Sequence, residues 1–468
     1  MGVPEKGAGF IRLTAGLTYT RVVNSTESEA GHLRERWLLA AVMLFSALLA
    51  TVITVSSRPK GNLFDLSNLV GPTAESVLQG HGITACTEAM GTPGNPICFH
   101  SGRMPLATLV VVSGIKLVGM DPMRVDLLKM VLFLLPVELA IFVTWRRLPN
   151  RKGRIWATAG LLLAPFLMPS FLADVANMQV EEAYSYSLLA LSVALLLFQI
   201  GRRDEVEEDR PLLWGLIFAL STAGTYLAKS SMILVVAVLV LSYLWLERRT
   251  RERVLVLVFV LAAPVGWAIY QHHASGRFSV GTSIDGINLH KSNQPEFLGL
   301  YPPQAGATLD GHDRDLNRGL VFADEWTFND YHQKAALAFI KAHPSDTLRG
   351  DERKLWVMFV ALRKIGSSES TGGMLAAETL GLVLFRLILW AALAGAVVFL
   401  ARGARELSAH SLAGSGLIFL AVVGTVVFPY LVGFAYTRHV SVLIYPAALM
   451  CCRLLAGSPD RERRTAPS

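Results

Sequence analysis

The stretch that decides the fold is "RMPLATLVVVSGIKLVG", residues 103–119. Its apolar part, from Met104 to Gly119, contains Pro105 and Lys116, whereas a helix that crosses ~30 Å of hydrocarbon needs about 20 mostly apolar residues. Ten longer runs lie around it, at 37–56, 125–145, 155–173, 183–200, 211–228, 230–246, 254–271, 376–400, 414–434 and 438–455. If the short run does not cross, four loops of one membrane face carry 14 Lys and Arg: five between 146 and 154, three between 202 and 210, four between 248 and 253, and Arg402 and Arg405. The short turns of the other face carry two, Lys229 and Arg438. If it does cross, every later loop inverts, against the tendency of short basic loops to stay cytoplasmic. The run is therefore expected to be an interfacial or re-entrant helix in the outer leaflet.

Composition points the same way. Of 468 residues, 52% are hydrophobic and 17% charged, against about 25% charged in a soluble domain. The formal net charge of +7 comes from short basic clusters between apolar runs, so it reports membrane topology and no nucleic-acid partner. The expected class is an all-α polytopic membrane protein of about ten transmembrane helices, with interfacial helices in the first outer loop and a large outer loop after the seventh span. No cleavable signal is seen in the first 30 residues, so the first apolar helix is expected to be a retained anchor. The organisation that follows is a cytoplasmic tail at 1–36 and a membrane module at 37–271 that includes the first outer loop, 57–124. An outer-face loop domain at 272–375 comes next, then C-terminal membrane helices at 376–455 and a cytoplasmic tail at 456–468.

With this topology the unusual residues fall on one face, the periplasmic or extracellular one if the membrane is a bacterial inner or plasma membrane. Asp65 opens the first loop, ahead of "GPTAESVLQGHG", where Pro72 suits a first helical turn and Gly80 and Gly82 a stop. "ADVANMQVEEAYSYS" brings Asp174, Glu181 and Glu182; "YLAKSSM" brings Lys229; "FAYTRHVSV" brings Arg438 and His439. Ionisable groups at the bilayer are costly and point to function, although Glu181 and Glu182 also suit the start of a helix. Carboxylates and cations at one surface fit a reaction on a lipid-linked phosphate, with an acid taking a proton and Lys and Arg stabilising the departing phosphate. Cys86 and Cys98 share the first loop; they either pair, which needs an oxidising compartment, or stay as two free thiols. His100, His272, His273 and His290 show no metal-ligand spacing, so no metal site is assigned. In the large outer loop, "HPSD" is expected to break two helices at His343 and Pro344 between Trp326 and Phe359.

Taken in order, these motifs resemble the GT-C glycosyltransferases of the protein O-mannosyltransferase and lipid A aminoarabinose transferase type. "DLSNLVGPTAESVLQGHG" is similar to that family's acidic first-loop opening, and Arg103, Pro105 and Gly119 match its Arg-x-Pro interfacial helix. Glu181 or Glu182 can stand for its third-span acid, and Lys229 for its Leu-x-Lys/Arg turn. "GINLHKSNQPEFLGLY", "AFIKAHPSDTLRGDERKLWVMF" and "YTRHVSVLIYPAAL" are similar to its later segments. The resemblance implies inverting transfer of a sugar from a polyprenyl-phosphate carrier to a glycan, lipid or protein acceptor. It implies Asp65 as base with Glu181 or Glu182 assisting, Lys229, Arg438 and Arg103 at the phosphate, and His290, Asn293 and His439 at the sugar or acceptor. The lipid-linked sugar is then the donor substrate, membrane lipids surround the chain, and a divalent metal, Mg or Mn, is the one cofactor left open. One departure is Leu66, where many members have a second acid; it keeps open a catalytically inactive scaffold of the same fold. A transporter or flippase of lipid-linked glycans would also place charges among many spans, although no internal repeat is visible. An outer-face polymerase or ligase of such glycans would share the donor chemistry and differ in acceptor.

Overall fold

The computed structural model describes residues 69–88, 96–148, 180–199, 211–300, 316–362, 373–403 and 411–456, with part of 37–55. Two compact units separate in the chain, Met1–Leu48 and Leu49–Ser468, and the elements numbered below all belong to the second. Its helices are α1 Val70–Leu78, α2 Pro105–Val118, α3 Pro122–Arg147, α4 Val180–Ala194, α5 Pro211–Ala228, α6 Ile233–Leu246 and α7 Thr250–Ser275. They continue as α8 Asp285–His290, α9 Phe297–Leu300, α10 Glu325–Ala342, α11 Pro344–Phe359, α12 Gly373–Gly403, α13 Leu412–Val432 and α14 Ile444–Ala456. Between α1 and α2, strands β1 Ala85–Glu88 and β2 Pro96–Phe99 pair antiparallel with Cys86 opposite Cys98, and the two cysteines form a disulfide.

Among the described residues six helices are long and apolar enough to cross a membrane, at Pro122–Arg146, Glu181–Phe198, Thr250–Ser275, Thr379–Gly403, Leu412–Val432 and Thr437–Leu455. Shorter apolar helices lie at Leu39–Val52, Leu212–Ala228 and Ser230–Leu246. The expected span at 155–173 lies outside the described residues. Along α7, Val254, Val258, Phe259, Leu261, Val265 and Ile269 are exposed, an apolar stripe that water would penalise and lipid tails solvate. The chain is a multi-pass membrane protein. α3, α4, α5 and α7 pack in series; α12, α13 and α14 form a second group, joined to the first where α13 meets α6 and α14 meets α4.

The short run that decided the topology forms α2, with Pro105 at its first turn and Gly119 ending it at φ +82°, a conformation that favours glycine. Fourteen residues make a helix only about 21 Å long. Just before α2, Arg103 Nη1 is 2.9 Å from Glu181 Oε1. Beyond α2, about two turns into α3, the Lys129 carbonyl accepts the Tyr184 hydroxyl of α4 at 2.9 Å.

Other expectations of local structure hold. α1 follows the Asp65 region, and Gly80 and Gly82 after it lie at φ +84°. α10 and α11 meet at His343 and Pro344. α10 starts at Asp324, whose carboxylate accepts the Trp326 and Thr327 amides at 2.9 and 2.7 Å, and α3 starts in the same way at Asp121. A small apolar core of Ile97, Phe99, Ile284, Ile287, Phe322 and Phe328 ties β2, α8 and α10 together. The buried Glu325 reinforces it, its Oε2 accepting the Ser101 amide at 3.0 Å and the Ser283 hydroxyl at 2.5 Å.

Candidate functional site

Three separate segments end at one place. The first turn of α4 supplies Glu181 and Glu182, the α5–α6 turn supplies Lys229, and the 3-10 segment Thr437–Leu443 ahead of α14 supplies Arg438 and His439. Alternation of up and down helices explains the meeting: α4, α6 and α14 begin at this end and α5 and α13 finish at it.

Glu182 is the centre. Lys229 Nζ lies 2.6 Å from its Oε1, Arg438 Nε 3.3 Å from its Oε2 and His439 Nε2 3.7 Å from Oε1. The carboxylate is 5% exposed, against 15% for Lys229 and 18% for Arg438, so the acid forms the floor and the cations face outward. Burial disfavours the Lys229 charge, but the Glu182 carboxylate outweighs that and holds the ammonium above the usual lysine range. His439 Nδ1 accepts the Tyr436 amide at 3.2 Å, so a neutral ring carries its proton on Nε2, aimed at Glu182.

Aromatic rings wall the cluster. Tyr430 stacks on His439 with centroids 4.2 Å apart and lies under Lys229 Nζ at 5.5 Å; the Arg438 guanidinium lies 5.0 Å from the Tyr436 ring. Tyr186 fixes the backbone by donating to the Arg438 carbonyl at 2.6 Å. A few residues away, Asp285 accepts the Thr282 amide and hydroxyl, both at 2.7 Å, and the Ser230 hydroxyl at 3.3 Å.

No family model matches this sequence. No curated protein matches it either. Its structure is similar to that of the Archaeoglobus fulgidus oligosaccharyltransferase in the apo form, at 13% identity and a TM-score of 0.45, covering 88% of this chain and 50% of that one. ArnT from Cupriavidus metallidurans is similar both bound to undecaprenyl phosphate (13% identity, TM-score 0.38, 89% of this chain and 77% of that one) and in the apo state (14%, 0.37, 88% and 76%). The chain spans about half the length of the oligosaccharyltransferase. These likenesses assign no residue a role here.

Of the residues singled out in the sequence, Glu182, Lys229, Arg438 and His439 come together, with Arg103 and Glu181 paired beside them. Asp65 lies outside the described residues, as does Asp174. Asn293 is buried, and its amide donates to the Leu289 and Val432 carbonyls at 2.8 and 2.9 Å, which ties the loop after α8 to the end of α13. His290 stands against His332, with their Nδ1 atoms 2.9 Å apart. No group of three His, Cys, Asp or Glu among the described residues is placed to hold a metal ion. Sequence reasoning missed Tyr186, Tyr430 and Tyr436, His332 and Asp285. For the tyrosines there was a signal: polar atoms within otherwise apolar spans, as in the alternation Tyr184-Ser185-Tyr186-Ser187, need buried partners.

Proposed function

We propose that the chain is a glycosyltransferase that moves a sugar from a polyprenyl-phosphate carrier to an acceptor on the extracytoplasmic face of the membrane. The observation that carries this reading is the convergence of Lys229 and Arg438 on Glu182 at one end of an apolar bundle, beside Arg103 just ahead of α2. A phosphate on a lipid chain needs this combination: hydrocarbon for the chain and fixed cations at the level of the headgroup. The order of the sequence motifs supports the same reading.

In the step proposed, an acceptor hydroxyl or amine attacks the anomeric carbon from the face opposite the phosphate. The new bond forms as the carbon–oxygen bond to phosphate breaks, and its electron pair leaves with the phosphate. The nucleophile's proton goes to Asp65. Lys229, Arg438 and Arg103 stabilise the charge that develops on the departing phosphate. Glu182, bound by two cations, acts as the residue that positions them, which leaves proton acceptance to Asp65.

The test is transfer by the full-length protein in nanodiscs from a synthetic polyprenyl-phosphate hexose, compared with Asp65→Asn. Losing a proton acceptor costs about 10²–10⁴-fold in rate. Full activity in a folded, inserted Asp65→Asn protein removes Asp65 from the mechanism. Reporter fusions near residues 150 and 330 should report the inside and the outside respectively; the opposite result places the site on the cytoplasmic face.

A further inference from the structure

Away from the cation cluster, three polar side chains form a line whose protons can be assigned. His290 Nδ1 lies 2.9 Å from His332 Nδ1, and His332 Nε2 lies 2.9 Å from Asn317 Oδ1. The amide oxygen only accepts, so His332 Nε2 carries a proton. His332 is fully buried and packed between the rings of Phe328 at 4.6 Å and Tyr331 at 5.2 Å. Burial, followed by the charges of His290 and Lys291, pushes its pKa down to about 3, so the ring is neutral and its Nδ1 holds a lone pair. The proton between the two rings must therefore come from His290 Nδ1. His290 is also held below the usual histidine range, chiefly by burial and against the pull of Glu296. A neutral His290 with its proton on Nδ1 has a bare lone pair at Nε2.

His290 is half-buried, and its hydrogen bond runs through Nδ1, which leaves Nε2 for a ligand. Its own helix and its neighbour in sequence link the residue to the candidate site. It ends α8, whose first residue, Asp285, takes the hydroxyl of Ser230 next to Lys229. The following residue, Lys291, lies over the Phe434 ring at 5.3 Å, and Phe434 meets His439 edge-on at 5.4 Å.

We propose that His290 offers an unprotonated Nε2 as hydrogen-bond acceptor to a sugar hydroxyl, with His332 and Asn317 as positioning residues that fix its tautomer. The choice of a sugar as ligand rests on the glycosyltransferase reading; the tautomer does not. Cations suit the phosphate of a lipid-linked sugar, and a neutral acceptor suits the hydroxyls that the sugar ring or the incoming acceptor carries.

Two measurements on the full-length protein in nanodiscs test this. Histidine ¹⁵N NMR, assigned with His290→Gln, should show His290 protonated on Nδ1 at pH 7, and methyl hexosides should move its Nε2 signal. A proton found on Nε2, or no movement with any methyl hexoside, overturns the proposal whether or not the protein transfers sugar. The second measurement is steady-state transfer from the polyprenyl-phosphate hexose by two variants. Gln places its amide where Nε2 stands, whereas Asn places it where Nδ1 stands and keeps the bond to His332. His290→Asn should raise KM about tenfold with kcat nearly unchanged, as for one lost neutral hydrogen bond, and His290→Gln should stay within about threefold of wild type. The reverse order, with Asn tolerated and Gln impaired, means His290 only holds His332 and overturns the proposal. The substrate whose KM rises, donor or acceptor, identifies the hydroxyl. A wild-type protein that transfers nothing overturns the glycosyltransferase reading alone, and the NMR result still decides the tautomer and the hexoside contact.

Discussion

Replacing Glu182 by Gln keeps the shape of the side chain and removes the charge on which Lys229, Arg438 and His439 converge. At an effective dielectric constant of about 20, unit charges at the 2.6 Å Lys229–Glu182 distance attract by about 6 kcal/mol. Desolvation takes back part of this, and breaking one side of a buried pair costs ~3–5 kcal/mol. Because Lys229 and Arg438 keep 15% and 18% exposure, water recovers some of their solvation and the lower end applies, about 3 kcal/mol. The assay is a double-mutant cycle on unfolding free energy in nanodiscs at pH 7 with Glu182→Gln, Lys229→Met and both. The double variant should recover part of the loss, because one uncompensated cation is gone, for a coupling of about 2–3 kcal/mol. Effects that simply add, or a Glu182→Gln protein within about 1 kcal/mol of wild type, would refute the view that this carboxylate holds the cluster together.

Three further outcomes follow from other parts of the fold. His332, held at about 3 in the folded chain and near 6.5 when unfolded, takes up its proton more readily in the unfolded state. Its contribution is therefore full above pH 6.5 and lost as pH falls towards 3, amounting to about 2 kcal/mol by pH 5; the difference in stability between wild type and His332→Phe across this range measures it, and a flat difference contradicts it. At Gly286 an added Cβ would run into the Asn329 carbonyl oxygen, and the Gly286 amide donates to Asn329 Oδ1 at 2.8 Å. Gly286→Ala must separate α8 from α10, at a cost of about 2–3 kcal/mol, and should be read as faster limited proteolysis of the 285–340 region. Removing the Cys86–Cys98 disulfide, with its sequence separation of 12, should cost about 3 kcal/mol in a Cys86→Ser, Cys98→Ser protein, and the native chain should shift on reducing against non-reducing gels.

The sequence by itself determined the membrane class, the short helix α2 and the place where charges gather. Each rests on a property of one dimension: the length of an apolar run, the position of Pro and Gly, and the alternation of helix direction that puts every second loop on one face. That is why Lys229, Glu182 and Arg438, separated by up to 256 positions, were legible as neighbours on one surface. What the sequence left open was which of two adjacent acids does what. Glu181 and Glu182 are chemically identical, and one residue is about 100° of helix rotation, so only packing decided that Glu182 turns inward to Lys229 and Arg438 while Glu181 meets Arg103. The His290–His332–Asn317 line was equally out of reach, because its members come from three stretches of chain joined by the apolar core around Phe328. Hydrogen-bond direction depends on distances of a few ångströms, and those exist only once α8 has packed against α10.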